Sequence, residues 1–262
     1  MKRRQASFDS GNVWPRGKRA GLSLTFDDAY PGQVDCGTPV LDGYGIKATF
    51  YALPSMLRYR RQAWKDVVAT GHELGNHTVS HPCSCNFHFS RGNALEDYTL
   101  EGLEEELIQA NEALEAFTGR RPTSFAYPCG QRFVGRGRAA RSYVPLVAEH
   151  FLVGRGFLDE TSNDPLRCDM AQVSGVAADG MDFERLRMRI DSALVEGRWL
   201  VLVAHDVASE LRPRAMTADT LEALCLYVSG LNELWTETVS AVGSHLVQQR
   251  GGQGSDRSAG GR

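Results

Sequence analysis

The sequence predicts an α/β fold built on parallel strands, and two observations carry that expectation. Short β-branched or aromatic runs alternate with longer amphipathic segments along most of the 262 residues. Polar residues gather where the apolar runs end, Asp27-Asp28 after the first and His205-Asp206 after the last. Such clustering is expected where the C-terminal strand ends of a parallel barrel converge on one face. Composition agrees: 42% hydrophobic and 23% charged residues lie near the averages of globular chains, which disfavours disorder, collagen and coiled coil. The length suffices for a substantial core in one large domain or two small ones.

Residues 1–19 are polar, rich in Arg and Gly, and expected to be mobile. The folded domain is expected over 20–245, and a disordered tail over 246–262, which ends in the low-complexity GGQGSDRSAGGR. Within the domain, residues 20–26 (AGLSLTF) and 47–52 (KATFYA) read as strands, followed by helices over 62–70 and 100–117. In the second helix Leu103, Leu107, Ala110 and Leu114 recur at i, i+4, i+7 and i+11, while Glu104, Glu105, Glu106 and Glu112 take other faces. Strands follow at 124–127 and 151–153, then a helix over 183–196. The run 199–204 (WLVLVA) is continuously apolar, as a strand covered on both faces should be. A last helix is expected near 218–228.

Charge and cysteine usage narrow the function classes. With 29 Lys+Arg against 32 Asp+Glu, the net charge of −3 offers no basic surplus for nucleic acid. No apolar run approaches the roughly 20 residues of a membrane span. No apolar stretch of roughly 7–15 residues follows the basic start as in a signal peptide, so a cytoplasmic location is expected. Six scattered cysteines read as buried thiols in a reducing compartment. Cys83 and Cys85 form only a C-x-C pair and lack the second pair of a zinc ribbon.

The chemistry concentrates in a few side chains. His77 and His81 stand four apart in GNHTVSHP, a spacing that puts two imidazoles on one face of a helical turn, where they can share a metal. Asp27 and Asp28 are adjacent like charges, costly unless a cation or hydrogen bonds offset them. Two histidines and one carboxylate make a metal site with open positions, compatible with zinc and equally with non-haem iron.

The strings LTFDD (24–28), HTVSH (77–81), FAYPCG (125–130) and LVAHD (202–206) occur in the order and spacing of the polysaccharide deacetylase family, carbohydrate esterase family 4, which the sequence resembles over residues 20–240. The resemblance implies a distorted (β/α) barrel, usually of seven strands. It also implies hydrolysis of N- or O-acyl groups, most often acetyl on amino sugars or glycans. It assigns one divalent metal to Asp28, His77 and His81, with Zn2+ first and Co2+, Ni2+, Mn2+ or Fe2+ as alternatives. Asp27 matches the general base, His205 the general acid, and Cys129 the residue whose backbone N–H binds the oxyanion. Tyr127, Pro128, Leu202 and Arg155 are expected around the substrate pocket, with Leu202 walling the acyl methyl.

Two departures stand out. Many members carry an arginine in the third motif that orients the base, whereas the aligned residues here are Ala126, Tyr127, Pro128 and Cys129. Arg155, in VGRG, either supplies a substitute charge or is an ordinary surface arginine. The family's Asp-Trp motif is not recognisable in FLDETSNDPLRCD (157–169). The expected partner is an acylated carbohydrate or a small amide. Two rivals are a glycan-binding pseudoenzyme, which the intact Asp27, Asp28, His77, His81 and His205 oppose, and an iron oxygenase, which needs neither Asp27 nor His205.

Overall fold

A computed structural model describes residues 13–256, so the expected mobility of residues 1–12 and 257–262 lies outside the described residues. Eight parallel strands form the central sheet: β1 (Ala20–Asp27), β2 (Thr49–Ala52), β3 (Glu73–Asn76), β4 (Ser124–Ala126), β5 (Val153–Arg155), β6 (Val176–Ala177), β7 (Trp199–Ala204) and β8 (Leu234–Thr236). Seven of them run in the order β5-β4-β3-β2-β1-β7-β6, and β8 pairs beside the first half of β1. This is a distorted (β/α) barrel. The distortion lies in its closure: Arg155 of β5 bridges to Val173, and a few residues later Val176 pairs with Leu202 of β7. The short segment 173–177 therefore joins edges that a regular barrel would pair directly.

The helices α1 (Thr38–Gly43), α2 (Arg61–Ala69), α3 (Leu100–Thr118), α4 (Val144–His150), α5 (Phe183–Glu196), α6 (Ala218–Ser229) and α7 (Val239–Asp256) complete the fold. Local chemistry fixes the ends of α3 and α5. Thr99 and Asp182 cap their N-termini by accepting from the backbone N–H of Gly102 and Arg185, and Gly119 and Gly197 follow in the left-handed conformation. Along β1, Leu22, Leu24 and Phe26 join the large core shared with Leu200, Leu202, Leu221 and Leu224, so the alternate positions Ser23, Thr25 and Asp27 face the barrel interior.

Sequence periodicity does not reveal β3, whose four residues ELGN include two poor strand formers. The glycine is required by packing, since a Cβ on Gly75 would lie 2.5 Å from the Tyr51 ring. The strand expected at 151–153 is displaced to Val153–Arg155, because Phe151 ends α4 and packs beside Phe125.

Both expected domain boundaries shift outward. Val13 and Trp14 are buried, and the Trp14 indole donates to Gly197 O at 3.1 Å. Helix α7 runs through the boundary set at 245, with Val239, Val242 and Leu246 packed against Val13, Trp14 and Trp199. Arg250 donates to the carbonyls of Pro165 and Cys168. Low-complexity sequence begins only at Gly251, so the i, i+3, i+7 apolar pattern ahead of it belongs to the domain. Leu246→Ala is expected to destabilise the protein by about 2–5 kcal/mol in urea unfolding, and an unchanged midpoint would return this turn to the tail.

Candidate active site

The site forms where β1, β3, β5 and β7 end. After Asp27 the chain turns through Asp28 (φ 73°) and Ala29 (φ 53°), both left-handed, which presents two successive carboxylates at the rim. Buried Gln33 lies beneath: its amide donates to the carbonyls of Asp27 at 2.6 Å and His205 at 2.5 Å, tying the ends of β1 and β7 together.

His77 and His81 do not share a helical turn. Thr78 (φ 66°) and His81 (φ 54°) are left-handed, and the loop doubles back so that the His81 N–H donates to Thr78 Oγ1 at 2.9 Å. The i, i+4 spacing is real but the geometry is that of a tight loop. Asn76 anchors its start, accepting from the Thr78 N–H at 2.7 Å while donating to Leu107 O and Asn111. Glu106, on α3, accepts from the N–H groups of Val79 and Ser80 and from the Ser80 hydroxyl.

The three expected metal ligands come together. Asp28 Oδ1 lies 3.5 Å from His77 Nε2 and 3.6 Å from His81 Nε2, and it is buried without a hydrogen-bond partner. His77 Nδ1 donates to Ala126 O at 2.8 Å, which leaves the Nε2 lone pair facing Asp28. Burial pushes the Asp28 carboxyl up, but His77, His81 and His205 outweigh it and hold the group well below the usual carboxylate range. Burial, helped by neighbouring His77, brings His81 down to about 4 despite Asp28. Asp28 Oδ1 stands from each imidazole nitrogen near the edge length of about 3.3 Å expected for ligands at 2.0–2.1 Å around a tetrahedral ion. An orphaned carboxylate oxygen facing two imidazole nitrogens fits a divalent cation. The other oxygen, Asp28 Oδ2, accepts from Arg214 Nη2 at 3.0 Å.

Arg155 is no surface residue. It is fully buried, ion-paired to Asp27 Oδ1, donates to Gly156 O at 2.9 Å and lies 4.8 Å over the Tyr51 ring. Gly175 makes room, since a Cβ there would sit 2.7 Å from Arg155 Cδ. Burial alone would raise the Asp27 carboxyl; the Arg155 guanidinium, with His77 and His205, holds it below the ordinary value. The missing third-motif charge thus arrives from β5.

His205 is oriented by Asp179, a residue that sequence reasoning missed. Asp179 Oδ2 lies 2.5 Å from His205 Nδ1, and Oδ1 accepts the His205 backbone N–H at 2.9 Å. Burial lowers the imidazole, but the hydrogen bond to Asp179 and the charges of Asp27 and Asp179 outweigh it, so His205 titrates above its ordinary value. The available signal was an aspartate just after an apolar strand end, as at Asp27, but β6 has only two residues and no readable period.

Three expectations for the pocket and the thiols are corrected. Tyr127 packs with Phe125 and Tyr143 and donates its hydroxyl to Ala171 O at 2.7 Å, so it is core; Pro128 beside it is buried where β4 ends. Leu202 points to the helix-facing core with Leu24, Phe26, Met216, Leu221 and Leu224. Val203, two residues before His205, takes the inward position, close to Gly175. Finally, Cys83 and Cys129 form a disulfide across 46 residues rather than remaining thiols. Only the fold brings their loops together, with a Cα separation of 6.2 Å that suits the bond. Cys36, Cys85, Cys168 and Cys225 stay free. Cys129 has φ 52°, and its N–H donates no backbone hydrogen bond among the described residues.

A parallel barrel with two histidines, a carboxylate pair and an aspartate-oriented histidine at its rim defines a class of barrel proteins with a candidate metal centre at the mouth. The polysaccharide deacetylase family model matches residues 16–143, and over them the chain is similar to that family. It is 28% identical over 144 residues to a gellan lyase of Bacillus sp, covering 55% of this chain and 5% of that protein. Its likeness to the YlxY protein of Bacillus subtilis (strain 168) is 32% over 92 residues, covering 35% of this chain. The chain therefore spans only 5% and 25% of the lengths of these two curated relatives. Among solved structures, a Mycobacterium smegmatis protein classed as a polysaccharide deacetylase superposes with a TM-score of 0.65 at 16% identity, covering 90% of this chain and 93% of that one. The peptidoglycan deacetylase PdaC of Bacillus subtilis superposes with a TM-score of 0.52 at 21% identity, over 93% and 99%. These two likenesses show the fold. Among the described residues no helix is long and apolar enough to cross a membrane.

Asp179→Asn should move the alkaline limb of the kcat/KM profile to lower pH, because loss of the carboxylate removes the charge that raises His205. A limb that stays in place would separate His205 from that ionisation.

Proposed function

We propose that the protein is a metal-dependent hydrolase that removes an acyl group, acetyl foremost, from an acylated sugar or polysaccharide. The observation that carries this is Asp28 Oδ1, buried and unpartnered between two imidazole nitrogens, beside a second carboxylate held ionised by a buried arginine. A divalent ion held by Asp28, His77 and His81 supplies Lewis acidity to a water molecule and to the acyl carbonyl. We take the ion to be Zn2+, because Asp27 and His205 serve hydrolysis and an iron oxygenase needs neither.

This chain's residues then divide the proton work. Arg155 occupies Asp27 Oδ1, which leaves Oδ2 to take the proton of the attacking water. The free Cys129 N–H donates to the oxyanion that develops on the carbonyl oxygen. His205 is bonded to Asp179 through Nδ1, so Nε2 hands a proton to the departing nitrogen or oxygen. The two groups need opposite protonation states at one pH, and their surroundings push them that way: Asp27 down, His205 up.

Acetate release from a panel of acetylated sugars, acetylated glycans and small amides, with zinc-loaded and chelator-treated protein, tests the proposal. Release that disappears with the chelator and returns with zinc is the expected result; no release from any of them overturns it. Asp27→Asn should keep its zinc and lose about 10²–10⁴-fold in rate, so a near-normal rate would remove Asp27 from proton transfer. His205→Ala should slow an unactivated N-acetyl substrate far more than an activated aryl acetate, whose leaving group needs no proton. Equal slowing would leave His205 without an acid role.

A further inference from the structure

The loop that follows the metal-ligand motif and the loop that carries Cys129 are joined covalently, and the bond lies against the candidate centre. Cys83 comes two residues after His81, and its Sγ lies 3.6 Å from His81 Nδ1, the ring nitrogen turned away from Asp28. A metal-binding imidazole is held in the right tautomer and orientation by what its outer nitrogen meets. For His77 that group is the Ala126 carbonyl; for His81 Nδ1 it is the Cys83 sulfur.

The two ends of the bond differ in rigidity. Cys83 is fully buried and fastened, its N–H donating to Ser90 Oγ at 2.8 Å and its carbonyl accepting from the same hydroxyl at 2.9 Å. Cys129, partly exposed, sits at φ 52° and is followed by Gly130 at φ 69°. A non-glycine residue in that conformation costs roughly 1–3 kcal/mol and persists only where its surroundings over-determine it. The tether to the fixed Cys83 supplies that determination. Gly130 in turn touches Phe157, whose ring stands 5.3 Å edge-on to His205.

We propose that the Cys83–Cys129 disulfide is a positioning element of the active site, holding His81 oriented for the metal and the Cys129 N–H aimed at the oxyanion. The oxyanion role rests on the deacylase function proposed above; the His81 role does not. Reduction then becomes a way to disable the centre. A water-soluble phosphine delivers two electrons to the disulfide and takes an oxygen atom from water. Each sulfur leaves as a thiol with one of the water's protons, and the phosphine becomes its oxide.

The test compares wild type with the Cys83→Ser/Cys129→Ser double variant. Zinc affinity is read by competition with a chromogenic chelator, and kcat and KM with whichever acetylated substrate of the panel is turned over. Serine is chosen because free thiols at 83 and 129 would stand within 4.8 Å of the His81 ligand atom and bind zinc themselves. The expected result is zinc affinity lowered about 10–100-fold and kcat lowered about 10²-fold with KM little changed, in protein whose circular dichroism remains native. Unchanged zinc affinity or unchanged kcat in the folded variant overturns the proposal. If the variant does not fold, Cys83→Ala/Cys129→Ala is read in the same way, and full reduction of oxidised zinc-loaded wild type by the phosphine without loss of kcat also overturns the proposal. The zinc titration needs no substrate. A wild type that releases no acetate therefore defeats the deacylase reading alone, while the affinity difference still decides the disulfide's role at His81.

Discussion

The buried ion pair between Asp27 and Arg155 is the constraint around which the site is built. A carboxylate that must stay ionised inside a barrel faces a desolvation penalty of several kcal/mol, and only a well-placed opposite charge with further hydrogen bonds can offset it. Arg155 meets that requirement from β5, at the far end of the strand order from β1. Its side chain crosses the barrel interior over the Tyr51 ring, past the space left by Gly175. The bridge from Arg155 to Val173 is also where the barrel closes irregularly, so the backbone of one residue shapes the closure and its side chain holds Asp27 ionised. Loss of the guanidinium would leave a lone buried charge, a kind of defect that typically costs about 3–5 kcal/mol.

Around that pair, the strand ends are held by buried polar side chains rather than by more sheet. Gln33 spans the carbonyls that end β1 and β7; Asn76 fixes the turn into His77; Glu106 gathers the loop between the two histidines from the side of α3. Each supplies donors or acceptors to backbone groups that the left-handed turns leave without ladder partners. Side chains fixed in place in this way lose little in reorganisation.

What could be read from the sequence follows from how local each signal is. Strands β1 and β7 and helices α3 and α5 were legible because their apolar pattern lies within the segment itself. The short β3 and β6 carry no period, and their identity depends on neighbours such as Tyr51 that arrive from elsewhere. Asp27, Asp28 and His205 stood out as polar residues at apolar ends, and His77 and His81 by their spacing. The assignment of Leu202 to the pocket ignored the strand's own alternation, which puts Val203 on the face of His205. Asp179, the buried state of Arg155 and the pairing of Cys83 with Cys129 are long-range facts, and no spacing along the chain encodes them.

The relocated arginine and the disulfide make sense together. When the third-motif loop carries the arginine, a single ion pair can both hold the base ionised and tie that loop to the first strand. Here the charge comes from β5, and Pro128-Cys129-Gly130 makes no ionic link to Asp27. The disulfide gives this loop a different anchor, on the segment that follows His81 instead of on Asp27. A covalent tie does not weaken with salt or with the protonation of its neighbours, as an ion pair does. The position of the Cys129 N–H is thereby separated from the ionisation of Asp27, and each can be held by the bond best suited to it.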